Sequence, residues 1–106
     1  MPNDYFFSPD LFAQVEFSDA KVARKPLYDD ERSKIVLLGF QAGQEITAHT
    51  APFAATLHFV KGEATVQLGS DTLEAKAGTL AYMPPQLEHA IKAKTEVIML
   101  LTVFKK

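Results

Sequence analysis

Gly43-Gln-Glu-Ile-Thr-Ala-His49 and Gly78-Thr-Leu-Ala-Tyr-Met-Pro84-Pro-Gln-Leu-Glu-His89 are the two stretches on which the fold turns. Each opens on a glycine suited to a tight turn, runs through strand-forming residues and ends on a histidine. That arrangement predicts two imidazoles pointing into one closed β-barrel.

The flanking sequence supports short strands. Ile35-Val-Leu-Leu-Gly-Phe40 is an apolar run of the kind buried on both faces of a sheet, and Ile46 to Thr50 continues after the turn at Gly43. Thr56-Leu-His-Phe-Val60 is β-branched and aromatic, and Lys61-Gly62-Glu63 reads as a tight turn into Ala64-Thr-Val-Gln-Leu68. A second turn at Gly69-Ser-Asp71 then leads to Thr72-Leu-Glu-Ala75, so two successive hairpins are expected. After the turn Lys76-Ala-Gly78, the strand Leu80-Ala-Tyr-Met83 is stopped by Pro84-Pro85, which cannot donate to a ladder. Val97 to Phe104 is a continuous apolar strand whose end Lys105 and Lys106 solvate. Short strands with frequent turn signals, and no amphipathic helical stripe after Lys34, predict an all-β antiparallel sandwich or barrel.

The first thirty residues are mixed. Tyr5, Phe6, Phe7, Leu11 and Phe12 would cap a barrel end or form a short helix, and Val15-Glu-Phe-Ser18 a short strand. The run Asp29-Asp-Glu-Arg-Ser-Lys34 reads as a solvated loop tip between two strands. One domain is therefore expected over residues 1–106, with 1–33 an N-terminal arm and 34–104 the barrel core.

Composition narrows the function classes. A chain of 106 residues buries roughly two thirds of its unfolded surface and needs no staple. It is 47% hydrophobic and 23% charged, within the ordinary globular range. A formal charge of -2 gives no basic stripe, so no nucleic-acid partner is expected. The absence of cysteine excludes disulfides, thiolate chemistry and iron–sulfur centres. The N-terminus lacks the pattern of a signal peptide, and no apolar run reaches membrane-spanning length. No membrane partner and a cytoplasmic location are the corresponding expectations. No phosphate-binding loop, dinucleotide fingerprint or nucleophile elbow is present.

The glycine, proline and histidine spacing resembles the two signature motifs of the cupin superfamily, over roughly residues 34 to 104. In the first, Gly43, His49 and Gly62 match, while the second histidine of the motif falls on Ala51 and its glutamate on Ala55. In the second, Gly78, Pro84 and His89 match, with Gln86 in place of a glycine and Ala93 in place of an asparagine. The resemblance implies an RmlC-like jelly roll, or double-stranded β-helix, with its pocket inside the barrel.

It also implies a metal site with parts missing. Metal-holding cupins use three imidazoles and one carboxylate, donors that divalent ions such as Zn, Ni, Mn or Fe take at about 2.0–2.2 Å. Here His49 and His89 are the metal ligands left, so a divalent ion would be held weakly. Glu45 shares a face with His49 by strand alternation but lies roughly 13 Å away along the strand. Glu88 points to the opposite face from His89. Met83, Gln67 and Gln86 are weak or neutral donors, and none is expected to complete a divalent shell.

Phe53, Thr47, Leu57 and Gln86 are expected to line the pocket around the histidines, and His58 to face outward. The chain is thus read as a small-molecule binding or sensing module. The alternative is an enzyme acting on a small carbohydrate-like or carboxylate substrate, either a metal-dependent oxygenase or isomerase or a metal-free isomerase. In the metal-free case His49 or His89 would act as base with Tyr82 as the acid partner. The histidines could also simply hydrogen-bond each other or a water. A homodimer is expected, because the strands at 35–40 and 97–104 are apolar on both faces.

Overall fold

Turn residues divide the chain into short strands. Among residues 5–105, which this computed structural model describes, a 3-10 turn at Phe12–Gln14 precedes nine strands. They are β1 (Ala23–Asp29), β2 (Ser33–Phe40), β3 (Glu45–His49), β4 (Ala54–Lys61), β5 (Glu63–Leu68), β6 (Asp71–Lys76), β7 (Leu80–Met83), β8 (His89–Ala93) and β9 (Val97–Phe104). Lys106, expected to solvate the last strand, lies outside the described residues, as do Met1 to Asp4. No helix among the described residues is long and apolar enough to cross a membrane.

The strands form two antiparallel sheets, one of order β1-β2-β9-β4-β7 and one of order β3-β8-β5-β6. Inward residues alternate along each strand. Val36, Leu38 and Phe40 meet Leu57 and Phe59, Val97 and Met99, with Val66, Ile91 and Ala93 from the other sheet. Full burial of each large apolar side chain contributes about 1.5–3 kcal/mol relative to exposure.

β2 is buried on both faces, as its composition implies, but the second face is covered by the chain itself. Val15 and Phe17 are not a strand; they lie against Gly39 on the outer face. A Cβ at Gly39 would sit 2.7 Å from Val15 Cγ1, so only glycine lets the arm approach. Leu37 and Ile98, on the same side, are correspondingly buried.

One turn expectation needs correction. Lys61-Gly62-Glu63 does not close a hairpin, because β4 and β5 belong to different sheets and the chain crosses between them at Gly62. Only β5–β6 is a hairpin of the expected kind. Residues after Pro85 regain the ladder as β8, paired with both β3 and β5.

The charged run at 29–34 is the β1–β2 turn, held by Asp30. Its carboxylate accepts hydrogen bonds from the Tyr28 hydroxyl at 2.7 Å and from the N–H groups of Ser33 and Arg32 at 2.8 Å. These donors hold its pKa down at about 2, and the hydrogen bond to the Asp30 carboxylate in turn raises that of Tyr28. Lys105 ties the C-terminus to the same turn through Asp29 and the Asp30 carbonyl.

Candidate functional site

The position of His49 is decided by one irregularity. In the β3–β8 ladder Glu45 pairs with Lys92 and Ile46 with Ile91, which faces the core. Continued regularly, that register would set His49 against Glu88 on the outside. A register shift between Ile46 and His49 sets it against His89 instead, so both imidazoles share the inner face. The ring centroids lie 4.2 Å apart with the planes inclined at 57°.

Each ring is oriented by its own backbone. His49 Nδ1 lies 2.9 Å from the Thr47 carbonyl oxygen, and His89 Nδ1 lies 2.9 Å from that of Leu87. A carbonyl only accepts, so Nδ1 carries the proton in both rings. In the neutral imidazoles both Nε2 atoms then hold free lone pairs. His89 is 8% exposed, and His49 sits exposed at the mouth.

Between them opens a cavity of about 110 Å³ walled by Ala51, Phe53, Ala55, Met83, Leu87, Leu101 and Val103. Both positions where the motif lacks a ligand, Ala51 and Ala55, are in its wall. Among the described residues, the two histidines are the only polar ones lining it.

Of the expected lining residues, Phe53 is in place and three are not. Thr47 falls within the register shift, is exposed and borders a separate surface depression with Lys21 and Arg24. Leu57 sits one inward step beyond Ala55 and is sealed in the core at 1% exposure. Gln86 is exposed in a left-handed turn (φ 69°); its backbone N–H donates to the Ala51 carbonyl at 2.8 Å and ties the two loops of the rim together. Tyr82 is 61% exposed and borders an outer groove with Pro52, Phe53 and Phe104. Its neighbour Met83 pairs with Ala55 and faces in, so alternation turns Tyr82 away from the histidines. It is not brought together with them as an acid partner.

Met83, Leu87, Leu101 and Val103 were not anticipated in the wall. Alternation along 97–104 could have indicated the last two, since Leu101 and Val103 share the parity of Val97 and Met99.

The donors present do not fit the divalent ion that complete cupin motifs hold. No group of three His, Cys, Asp or Glu side chains among the described residues could hold a metal. Glu45 faces outward opposite Lys92, and no carboxylate among the described residues reaches the cavity.

The cupin domain family matches residues 36–104 of the chain. No curated protein matches it. Among solved structures, an RmlC-like cupin from Desulfovibrio desulfuricans is 25% identical, with a TM-score of 0.86 over 95% of this chain and 98% of that one. A conserved protein of unknown function from Streptococcus pyogenes is 25% identical, with a TM-score of 0.84 over 98% and 91%. A protein with a double-stranded β-helix domain from Klebsiella pneumoniae is 24% identical, with a TM-score of 0.85 over 97% and 91%.

Proposed function

The chain belongs to the cupin family, and on that premise we propose that it is a small-molecule binding or sensing module rather than an enzyme. One observation carries this: an apolar cavity whose only polar features, among the described residues, are two imidazoles with free Nε2 lone pairs. Such a site suits a small, largely apolar molecule that donates one or two hydrogen bonds, since apolar walls supply affinity and few polar groups fix orientation. The enzyme alternatives lack support at the site. A metal-dependent reaction has no carboxylate or third imidazole among the described residues here, and the metal-free isomerase has no inward tyrosine.

Phenol, an apolar ring with one donor, is the test ligand. Titrated into isotope-labelled protein, it should shift the amide resonances of Ala51, Ala55 and Leu101. His89→Leu should weaken its binding about five- to tenfold, the loss of one hydrogen bond of about 1 kcal/mol. Shifts confined to other surfaces, or an affinity indifferent to His89→Leu, would refute the assignment.

We also propose that the chain pairs with a second copy through the outer face of the five-stranded sheet. The arm covers Leu37 and Ile98 but leaves Leu80 67% exposed, with Tyr82, Phe104 and His58 beside it. Apart from Lys61, which pairs with outward Ile98 at the far end of β4 and is bridged to Glu96 at 2.7 Å, the outward residues of β4, β7 and β9 carry no carboxylate, ammonium or guanidinium group, so two identical faces meet with little repulsion. Light scattering should give about twice the 11.7 kDa chain mass. Leu80→Lys should return it to the monomer value, and a monomeric wild-type chain would rule the interface out.

A further inference from the structure

We propose that His49, His89 and Met83 form a site selective for a cuprous ion over divalent ions. The inference rests on the cavity being an open binding site, as above, and adds an occupant of different chemistry.

The position of Met83 suggests it. Ala55 stands where the family motif has its ligating glutamate, and Met83 is its direct partner across the β4–β7 ladder, on the same inner face. Paired residues on one face bring their Cβ atoms to about 4.5–5.5 Å, so the thioether borders the space a carboxylate at position 55 would fill. Met83 is 4% exposed and lines the same cavity as both histidines. Its unbranched chain can re-aim the sulfur within that space.

Charge and softness then select the ion. The three donors, two imidazole nitrogens and one thioether sulfur, are all neutral, and no carboxylate among the described residues lines the cavity. A dication taken into these apolar walls would keep its full double charge. Desolvation cost grows with the square of charge, so a monocation suffers far less. Thioether sulfur is a soft donor that favours Cu(I), whereas hard or borderline ions seek oxygen and nitrogen. Cu(I) is also content with low coordination numbers, so loss of the carboxylate and third imidazole does not leave its shell open. Because each Nδ1 is engaged by a backbone carbonyl, Nε2 is the ring nitrogen left to each histidine as a donor to the ion.

The test is an anaerobic titration of the full chain with Cu(I) against a chromophoric Cu(I) chelator, and separately with Zn(II). One Cu(I) per chain is expected, bound at least a hundredfold more tightly than Zn(II). Met83→Leu conserves volume and should keep the fold; it should weaken Cu(I) at least tenfold and leave Zn(II) unchanged. In the unsubstituted protein, silver(I), an air-stable analogue, should shift the Met83 methyl resonance while that of buried Met99 stays put. Zn(II) binding as tight as Cu(I), a Cu(I) affinity unmoved by Met83→Leu, or a silent Met83 methyl would overturn the proposal. Phenol binding separates the two readings: if phenol binds and Cu(I) does not, the copper site alone fails, and if neither binds, the cavity is no binding site.

Discussion

Ala51→His combined with Ala55→Glu should turn this chain into a tight divalent-metal protein, raising Zn(II) affinity on the order of a thousandfold or more. Both alanine methyls already line the cavity that His49 and His89 share, so the new side chains enter a prepared space. Four nitrogen and oxygen donors with one negative charge then replace two neutral imidazoles. Zinc at a thousand times its new dissociation constant should add about 4 kcal/mol to stability, visible as a raised melting temperature. Without metal the variant should be less stable than the parent, because the carboxylate introduced at position 55 would sit unpaired against Met83 and Val103. The unsubstituted chain should release any divalent ion to a mild chelator with a stability change under about 1 kcal/mol. Calorimetric titration decides the matter. An unchanged Zn(II) affinity in the double variant would mean that positions 51 and 55 do not converge on the histidine pair.

The largest loss of stability should come from Gly62→Ala. Gly62 is the corner where the chain leaves one sheet for the other, with φ at +89°. A Cβ there would lie 2.0 Å from the Glu96 carbonyl oxygen and 2.9 Å from its carbon, both backbone atoms. The opposing segment cannot withdraw easily, since the N–H of Lys94 donates to the Glu63 carbonyl at 2.8 Å and Thr95 Oγ1 accepts from the N–H of Glu63 at 3.0 Å. A loss on the order of 3–5 kcal/mol is expected, a large share of the roughly 5–15 kcal/mol typical of a domain. Gly43→Ala is the control. That residue has nearly the same φ, +88°, but nothing within 4 Å of the added Cβ, so only the left-handed strain of about 1–2 kcal/mol applies. Urea denaturation of the two variants separates the effects. Equal losses would show that the close approach at Glu96 is not what requires glycine.

Local sequence determined most of the fold. Turn glycines at 43, 62, 69 and 78, apolar runs at 35–40 and 97–104, and the Pro84-Pro85 stop mark out a small all-β barrel, because strand alternation and turn chemistry act between near neighbours. The spacing of Gly43, His49, Gly78, Pro84 and His89 was likewise enough to bring the chain to the cupin family. Tertiary pairing decided the rest. Whether Gly62 closes a hairpin or crosses between sheets depends on residues 94–96 passing beside it, which nothing in 61–63 encodes. Thr47 is expected in the site from strand alternation, Leu57 from its place in the sequence and Tyr82 from the family resemblance, and the pairing of strands distant in sequence sets all three away from the cavity. A single shifted residue between Ile46 and His49 inverts every facing that alternation predicts beyond it, so Thr47 is left exposed while His49 faces in. The extra residue lies in β3, and only the pairing with β8 reveals it. Met83 entered the wall for the same reason: its partner is Ala55, and only the assembled sheet places a thioether beside the space that a carboxylate at that position would fill.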